Sequence, residues 1–233
     1  SMVNIVFSLN KIKIIEKDSF ENLINLNSLD LDNQNIADIN PNLFRNLLSI
    51  RNLILSNNYL EIIKKEQFIF LKTLVHLDLL KNDIKHIEED GFKGLINLNR
   101  LVLSKNRLKS LFSGNFKNLE NLFDLTLDSN EISNIESGTF YPLNNSLKTL
   151  NLNFNKLEFI RNIYFNNLIR LEKLLLKSNQ ISSIEKNSLK NLIYLELLDL
   201  GDNCLFSIDA NLLSNNKKLL QLKLDFNVLS NID

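Results

Sequence analysis

An eleven-residue pattern returns along this chain every 24 residues, and a period of that length constrains the fold before any other feature is weighed. Its fullest form, L-x-x-L-x-L-x-x-N-x-L, is set by Leu98, Leu101, Leu103, Asn106 and Leu108. The form starts again at Leu74, Leu122, Leu147, Leu171, Leu195 and Leu219, and at Ile50 with isoleucine leading. Earlier copies start at Leu26 and at Met2, the latter carrying Ile5, Phe7, Asn10 and Ile12. Every step is 24 residues except one of 25 between Leu122 and Leu147, and ten registers fill the chain, the last stopping in mid-repeat at Ile232-Asp233.

The second half of each unit repeats as well. Position 14 is aliphatic from Ile15 through Leu111 to Ile232. Position 19 is aromatic at Phe20, Phe44, Phe68, Phe92, Phe116, Phe140 and Phe165, then becomes Leu189 and Leu213. Position 22 is leucine from Leu23 to Leu192 and fails at Asn216. Positions 4 and 6 fall on one face of a short strand, and positions 3, 5 and 7 on the other. One repeat cannot bury its leucines alone, whereas stacked repeats enclose a continuous core.

Composition becomes intelligible on this frame. The chain holds 50 Leu and 39 Asn but only 5 Gly and 2 Pro, so the usual turn formers are scarce. Asparagine at position 9 takes over the turn, because its amide both donates and accepts toward backbone groups leaving the strand. The series runs Asn10, Asn58, Asn82, Asn106, Asn130, Asn155, Asn179, Asn203 and Asn227. Gln34 breaks it, and its extra methylene predicts a looser turn there.

These positions resemble those of the leucine-rich repeat family, in its typical 24-residue form, along essentially the whole chain. The resemblance implies an α/β solenoid: a curved horseshoe with a parallel β-sheet on the concave face and irregular, short helical or extended segments on the convex face. It also implies one solenoid domain over residues 1–233, of about ten repeats. Polar terminal caps, which solenoids need, are absent from the pattern, so the expectation is a segment of a longer protein or ends covered by another copy.

The family uses its open concave face to bind proteins, and positions 3, 5, 7 and 8 point into it. Ten strands at about 4.8 Å spacing give an arc of roughly 45 Å, enough for an interface of about 800 Å² per partner. Along it, the second repeat offers Ser28, Asp30, Asp32 and Asn33, and the third Asn52, Ile54, Ser56 and Asn57. The middle of the arc is the candidate partner-binding surface: His76, Asp78, Arg100, Val102, Lys105, Asp124, Thr126, Asp128, Asn151, Phe154, Lys173 and Leu175. Two readings stand. Opposite charges pair between adjacent strands, Arg100 with Asp78 or Asp124, for solubility. Alternatively, Val102, Phe154, Leu175 and Leu197 anchor a partner inside a charged rim.

Other chemistries find little support. Formal net charge is zero, which argues against nucleic-acid or anionic-membrane partners. No apolar run approaches about 18 residues, so no membrane insertion is expected in this segment. One cysteine, Cys204, makes an intrachain disulfide impossible, and two histidines, His76 and His86, leave no zinc cluster. No metal and no cofactor is therefore expected. There is no phosphate loop and no serine elbow, so an enzyme is not expected either.

Typical repeats resemble those of extracellular proteins, but the cysteine-clustered caps of that group are missing and a single acceptor sequon, Asn144-Asn145-Ser146, is present; the compartment stays open. The expectation is a protein-recognition or scaffold module. Its alternatives are a regulatory or ligand-sensing arm of a larger receptor or enzyme, and self-association through uncapped ends.

Overall fold

The computed structural model describes residues 3–232, without the side chain of Ile232; the repeat positions assigned to Met2, to that side chain and to Asp233 lie outside the described residues. The chain forms two compact units, one of residues up to Arg107 with Gly114–Leu122, the other of Leu108–Ser113 with Phe123 onward. Both are parallel-stranded solenoids with little helix.

In the first unit the strands β1 (Asn4–Val6), β2 (Ser28–Asp30), β3 (Asn52–Ile54), β5 (His76–Asp78) and β7 (Arg100–Val102) pair in parallel, each in register with its neighbour one repeat away. On the return side β4 (Ile62–Ile63) pairs with β6 (His86–Ile87), and Pro41–Phe44 makes a 3-10 turn. In the second unit β9 (Asp124–Thr126), β11 (Thr149–Asn151), β13 (Lys173–Leu175), β15 (Leu197–Asp199) and β17 (Gln221–Lys223) form the parallel sheet. Its return side pairs β8 (Ser110–Leu111) with β10 (Asn134–Ile135), β12 (Phe159–Ile160) with β14 (Ser183–Ile184), and β16 (Ser207–Ile208) with β18 (Asn231–Ile232). The one-turn helix α1 (Asn162–Phe165) and a 3-10 turn at Tyr141–Leu143 complete it. Thr149 faces Asp124 across 25 residues, so the extra residue of that repeat is taken up on the return side and the sheet register is kept.

The core follows the period. Leucines at positions 4 and 6, such as Leu53, Leu55, Leu174 and Leu176, are fully buried, each contributing about 1.5–3 kcal/mol of hydrophobic stabilisation. The phenylalanine row stacks, with ring centroids 6.3 Å apart for Phe44 and Phe68 and 6.2 Å for Phe68 and Phe92 in the first unit. Phe140 and Phe165 stack at 6.3 Å in the second.

The asparagine row joins each repeat to the one before it. Asn58 Nδ2 donates to the carbonyls of Leu31 (2.9 Å), Leu55 (3.1 Å) and Ser56 (3.0 Å), and its Oδ1 accepts the N–H of Ile36 (3.0 Å). Gln34 does not loosen its turn. Its amide reaches the carbonyls of Phe7 (2.7 Å) and Asp32 (2.9 Å) and accepts from Ile12 N–H (3.1 Å), with the longer stem losing only the bond to Leu31. The ninth repeat departs more. Leu212 rather than Leu213 is buried, and Asn216 is 4% exposed in a leucine slot. Its Nδ2 donates to Leu189 O (3.0 Å) and Leu192 O (2.9 Å) while its Oδ1 has no partner.

Candidate binding face

Alternation along the strand sends positions 3 and 5 to the face opposite the leucines, and position 8 is raised by its backbone. All ten residues at position 8, from Leu9 to Phe226, have left-handed φ between 52° and 63°. None is glycine. Asparagine, as at Asn33 and Asn57, tolerates this conformation, but a bulky side chain there is an outlier that costs about 1–2 kcal/mol. Lysine and serine share that cost in other repeats, and three repeats carry it with a large apolar side chain: Leu9, Phe154 and Phe226, exposed by 78%, 55% and 79%.

In the first unit the open face carries half-buried His76 and Asp78 and exposed Arg100 and Lys105. Asp78 Oδ1 accepts the N–H of Leu80 at 2.8 Å, so part of its role is to close its own turn. Asp30 does the same for Asp32 N–H, also at 2.8 Å. Asp32 in turn accepts from Ser56 Oγ and Asn57 Nδ2 of the next repeat. Val102 stands on the open face opposite Asp78 but is only 8% exposed, because its short side chain does not clear its neighbours. It offers no protruding anchor. Val6 and Leu9, at the same positions of the first repeat, are the exposed aliphatics of this unit's face; carrying the register into that weak repeat would have found them.

In the second unit the face carries half-buried Asp124, Thr126 and Asp128, and beside them Asn151, whose Nδ2 donates to Asp128 Oδ1 at 3.1 Å. Asn151 Oδ1 accepts from Asn153 N–H at 3.0 Å, the turn-closing role that Asp78 plays elsewhere. Phe154 projects next to this polar group, and the exposed Lys173 and half-buried Leu175 follow on β13. Further along, Asp199 is covered by Lys223, with Nζ 3.3 Å from its carboxylate, a direct cross-strand ion pair. Phe226, at position 8 of the last repeat, belongs to the same face, and the intact pattern from Leu219 was enough to place it there.

The flanks hold exposed ion pairs one repeat apart, including Arg107 with Asp83 (2.7 Å) and Lys156 with Glu131 (2.9 Å). Lys85 donates a hydrogen bond to Glu61 and adds its positive charge, which holds the Glu61 carboxyl below its usual range. The partnership of Lys93 with Glu66 raises the lysine. Such surface pairs add little stability. Among the described residues no group of three or more His, Cys, Asp or Glu could hold a metal ion, and no helix is long and apolar enough to cross a membrane. Cys204 is exposed.

A module of stacked, asparagine-tied leucine repeats with an open sheet face defines a class of protein. Residues 96–157 and 169–229 match the model of the leucine rich repeat, and residues 1–107 match that of the BspA type leucine rich repeat region. The chain belongs to the leucine-rich repeat family, whose members are typically protein-interaction modules rather than enzymes.

Solved structures agree on the fold. A chain of the Drosophila Toll–Spatzle complex, in its glycosylated form, is 24% identical over 99% of this chain and 32% of its own length, with a TM-score of 0.81. In a second structure of that complex the values are 22%, 96%, 33% and 0.79. The Leptospira interrogans LRR protein LIC12759 is 26% identical over 100% of this chain and 62% of its own, with a TM-score of 0.72. The chain thus spans about a third of the length of the matched Toll–Spatzle chains. No curated protein sequence matches it.

Proposed function

We propose that the chain recognises a protein partner through the open faces of its strand sheets. In the second unit Phe154 and Leu175 serve as apolar anchors, and Asp124, Thr126, Asp128, Asn151 and Lys173 form the polar surround. In the first unit the contact is polar, through His76, Asp78, Arg100 and Lys105. The observation that carries the reading is Phe154. A phenyl ring held 55% exposed on a left-handed backbone loses stability at a place where asparagine would fit, and strain of that kind gathers at binding sites. Aromatic anchors inside a polar rim are the usual form of an interaction hot spot. The Toll–Spatzle structures, complexes of a similar fold, add support of a general kind.

The test replaces Phe154 by Asn. This relieves the backbone, so the melting temperature rises, and it removes the ring, so proteins retained by the immobilised chain are lost. Lys190→Glu on the return side serves as control. Retention that survives Phe154→Asn and fails with Lys190→Glu refutes the reading. A second reading, the recognition arm of a larger receptor, is favoured by the short span of the Toll–Spatzle chains that this chain covers; the reading frame beyond Asp233 tests it.

A further inference from the structure

The residue that closes a repeat, position 24, has a structural duty in three successive repeats of the first unit. Thr73 Oγ1 donates to Ile50 O (2.8 Å), Asn97 Nδ2 to Lys72 O (2.8 Å) and Asn121 Nδ2 to Ile96 O (2.7 Å). Each ties the flank of one repeat to a neighbouring backbone carbonyl. Three consecutive repeats of the second unit abandon that duty, placing Arg170, Tyr194 and Lys218 at the same position. Among the described residues none of these three donates to a backbone carbonyl, and neither cation has a carboxylate within 4 Å.

Both cations lie over one ring instead. Arg170 Cζ is 5.3 Å and Lys218 Nζ 4.1 Å from the Tyr194 centroid. Repeat order sets the ring between them. A ring face attracts each cation, while the two charges repel each other, so the stack leaves an uncompensated positive charge on the flank. A guanidinium stacked on a ring keeps its in-plane N–H groups free to grip a planar anion.

Beside Arg170 opens a cleft of about 310 Å³, lined by Asn145, Ser146, Lys148, Arg170, Glu172 and Tyr194. The one repeat of 25 residues contributes Asn145 and Ser146 to it. Lys148 and Glu172 neutralise each other at 2.9 Å, which leaves Arg170 as the unpaired charge of the lining. Lys148 and Glu172 also immediately precede β11 and β13, so the cleft borders the edge of the open sheet face.

We propose that this cleft binds a side-chain carboxylate of an acidic peptide segment. Arg170 grips the two oxygens, Tyr194 forms the wall, and Asn145 supplies a further donor. A single guanidinium beside the Glu172 carboxylate matches a singly charged carboxylate; a doubly charged phosphate would meet Glu172 as well.

The test titrates a fluorescently labelled hexaglutamate peptide into the whole chain and reads anisotropy, with inorganic phosphate as competitor. The expected result is saturable binding that weakens with ionic strength and falls about tenfold in Arg170→Gln and in Tyr194→Leu, while Lys190→Gln binds as the original chain does. Melting curves confirm that the variants remain folded. Absence of binding, equal binding by Arg170→Gln, an equal loss in Lys190→Gln, or displacement by phosphate beyond its ionic-strength effect each overturns the proposal. The peptide reads the flank directly, so the outcome does not depend on what the open face recognises.

Discussion

Replacing Asn179 by alanine tests how the turns are held. Its Nδ2 donates to the carbonyls of Leu152 (3.0 Å), Leu176 (3.0 Å) and Lys177 (3.4 Å), and its Oδ1 accepts from Leu157 N–H (3.0 Å). The four losses are unequal. Leu152 O keeps Asn155, Leu176 O keeps Asn203, and Lys177 O keeps the N–H of Phe154, so all three carbonyls retain a donor. Leu157 N–H, in a buried residue, keeps nothing. A buried orphan donor costs about 1–3 kcal/mol and the lost bonds add about 1 more, which gives about 2–4 kcal/mol. At about 2–4 °C per kcal/mol for a chain of this size, the melting temperature falls by roughly 4–16 °C. Asn179→Asp is at least as costly, since it keeps an acceptor for Leu157 but sets a charge against three carbonyl oxygens. Asn10 is exposed and bonds only Phe7 O in its own repeat, so Asn10→Ala costs under about 0.5 kcal/mol. Calorimetry or circular-dichroism melts give the answer. A shift for Asn179→Ala no larger than that for Asn10→Ala refutes the account of the ladder.

Further outcomes follow from single sites. Asn216→Leu removes a buried acceptor without a partner and restores the leucine slot, while the carbonyls of Leu189 and Leu192 that lose its Nδ2 keep the N–H groups of Leu192 and Leu195, so stability rises by about 1 kcal/mol in a denaturant titration; a loss contradicts the reading. Gly94→Ala places a Cβ 2.5 Å from Ile69 O at φ +97°, whereas Gly138→Ala at φ +81° meets nothing within 4 Å. Both are destabilised by the backbone cost, and thermal melts show Gly94→Ala clearly the worse. Glu61 has a lowered pKa in the folded chain, so its pairing contributes stability above the unfolded value that is lost as pH falls through the folded one. Lys85→Met returns the Glu61 carboxyl to the usual range in a carboxyl NMR titration; an unmoved titration rules out Lys85 as the cause.

The register could be read because the same physical demand recurs: each strand must bury two aliphatics and each turn must satisfy the same backbone groups. Leu53, Asn58 and Phe68 were therefore assignable from spacing. Gln34 was misjudged because spacing says nothing of how far an amide can flex to keep its partners. Val102 and Phe154 were placed on the same face as equals, yet one is covered and the other projects. Strand position 5 lies flat among its neighbours, and position 8 is lifted by its left-handed backbone. The stack of Arg170, Tyr194 and Lys218 sits at a position whose role shows only in the hydrogen bonds of Thr73, Asn97 and Asn121.

The order of leucine, asparagine and phenylalanine along the chain settled the fold class and the split between core and open face, because periodic burial leaves one way to stack such units. Folding alone decided which open-face side chains protrude, which carboxylates are spent on closing turns, and where a cleft opens beside the long repeat. Those outcomes depend on backbone torsion and on side chains a full repeat apart, and neither is written in the local pattern.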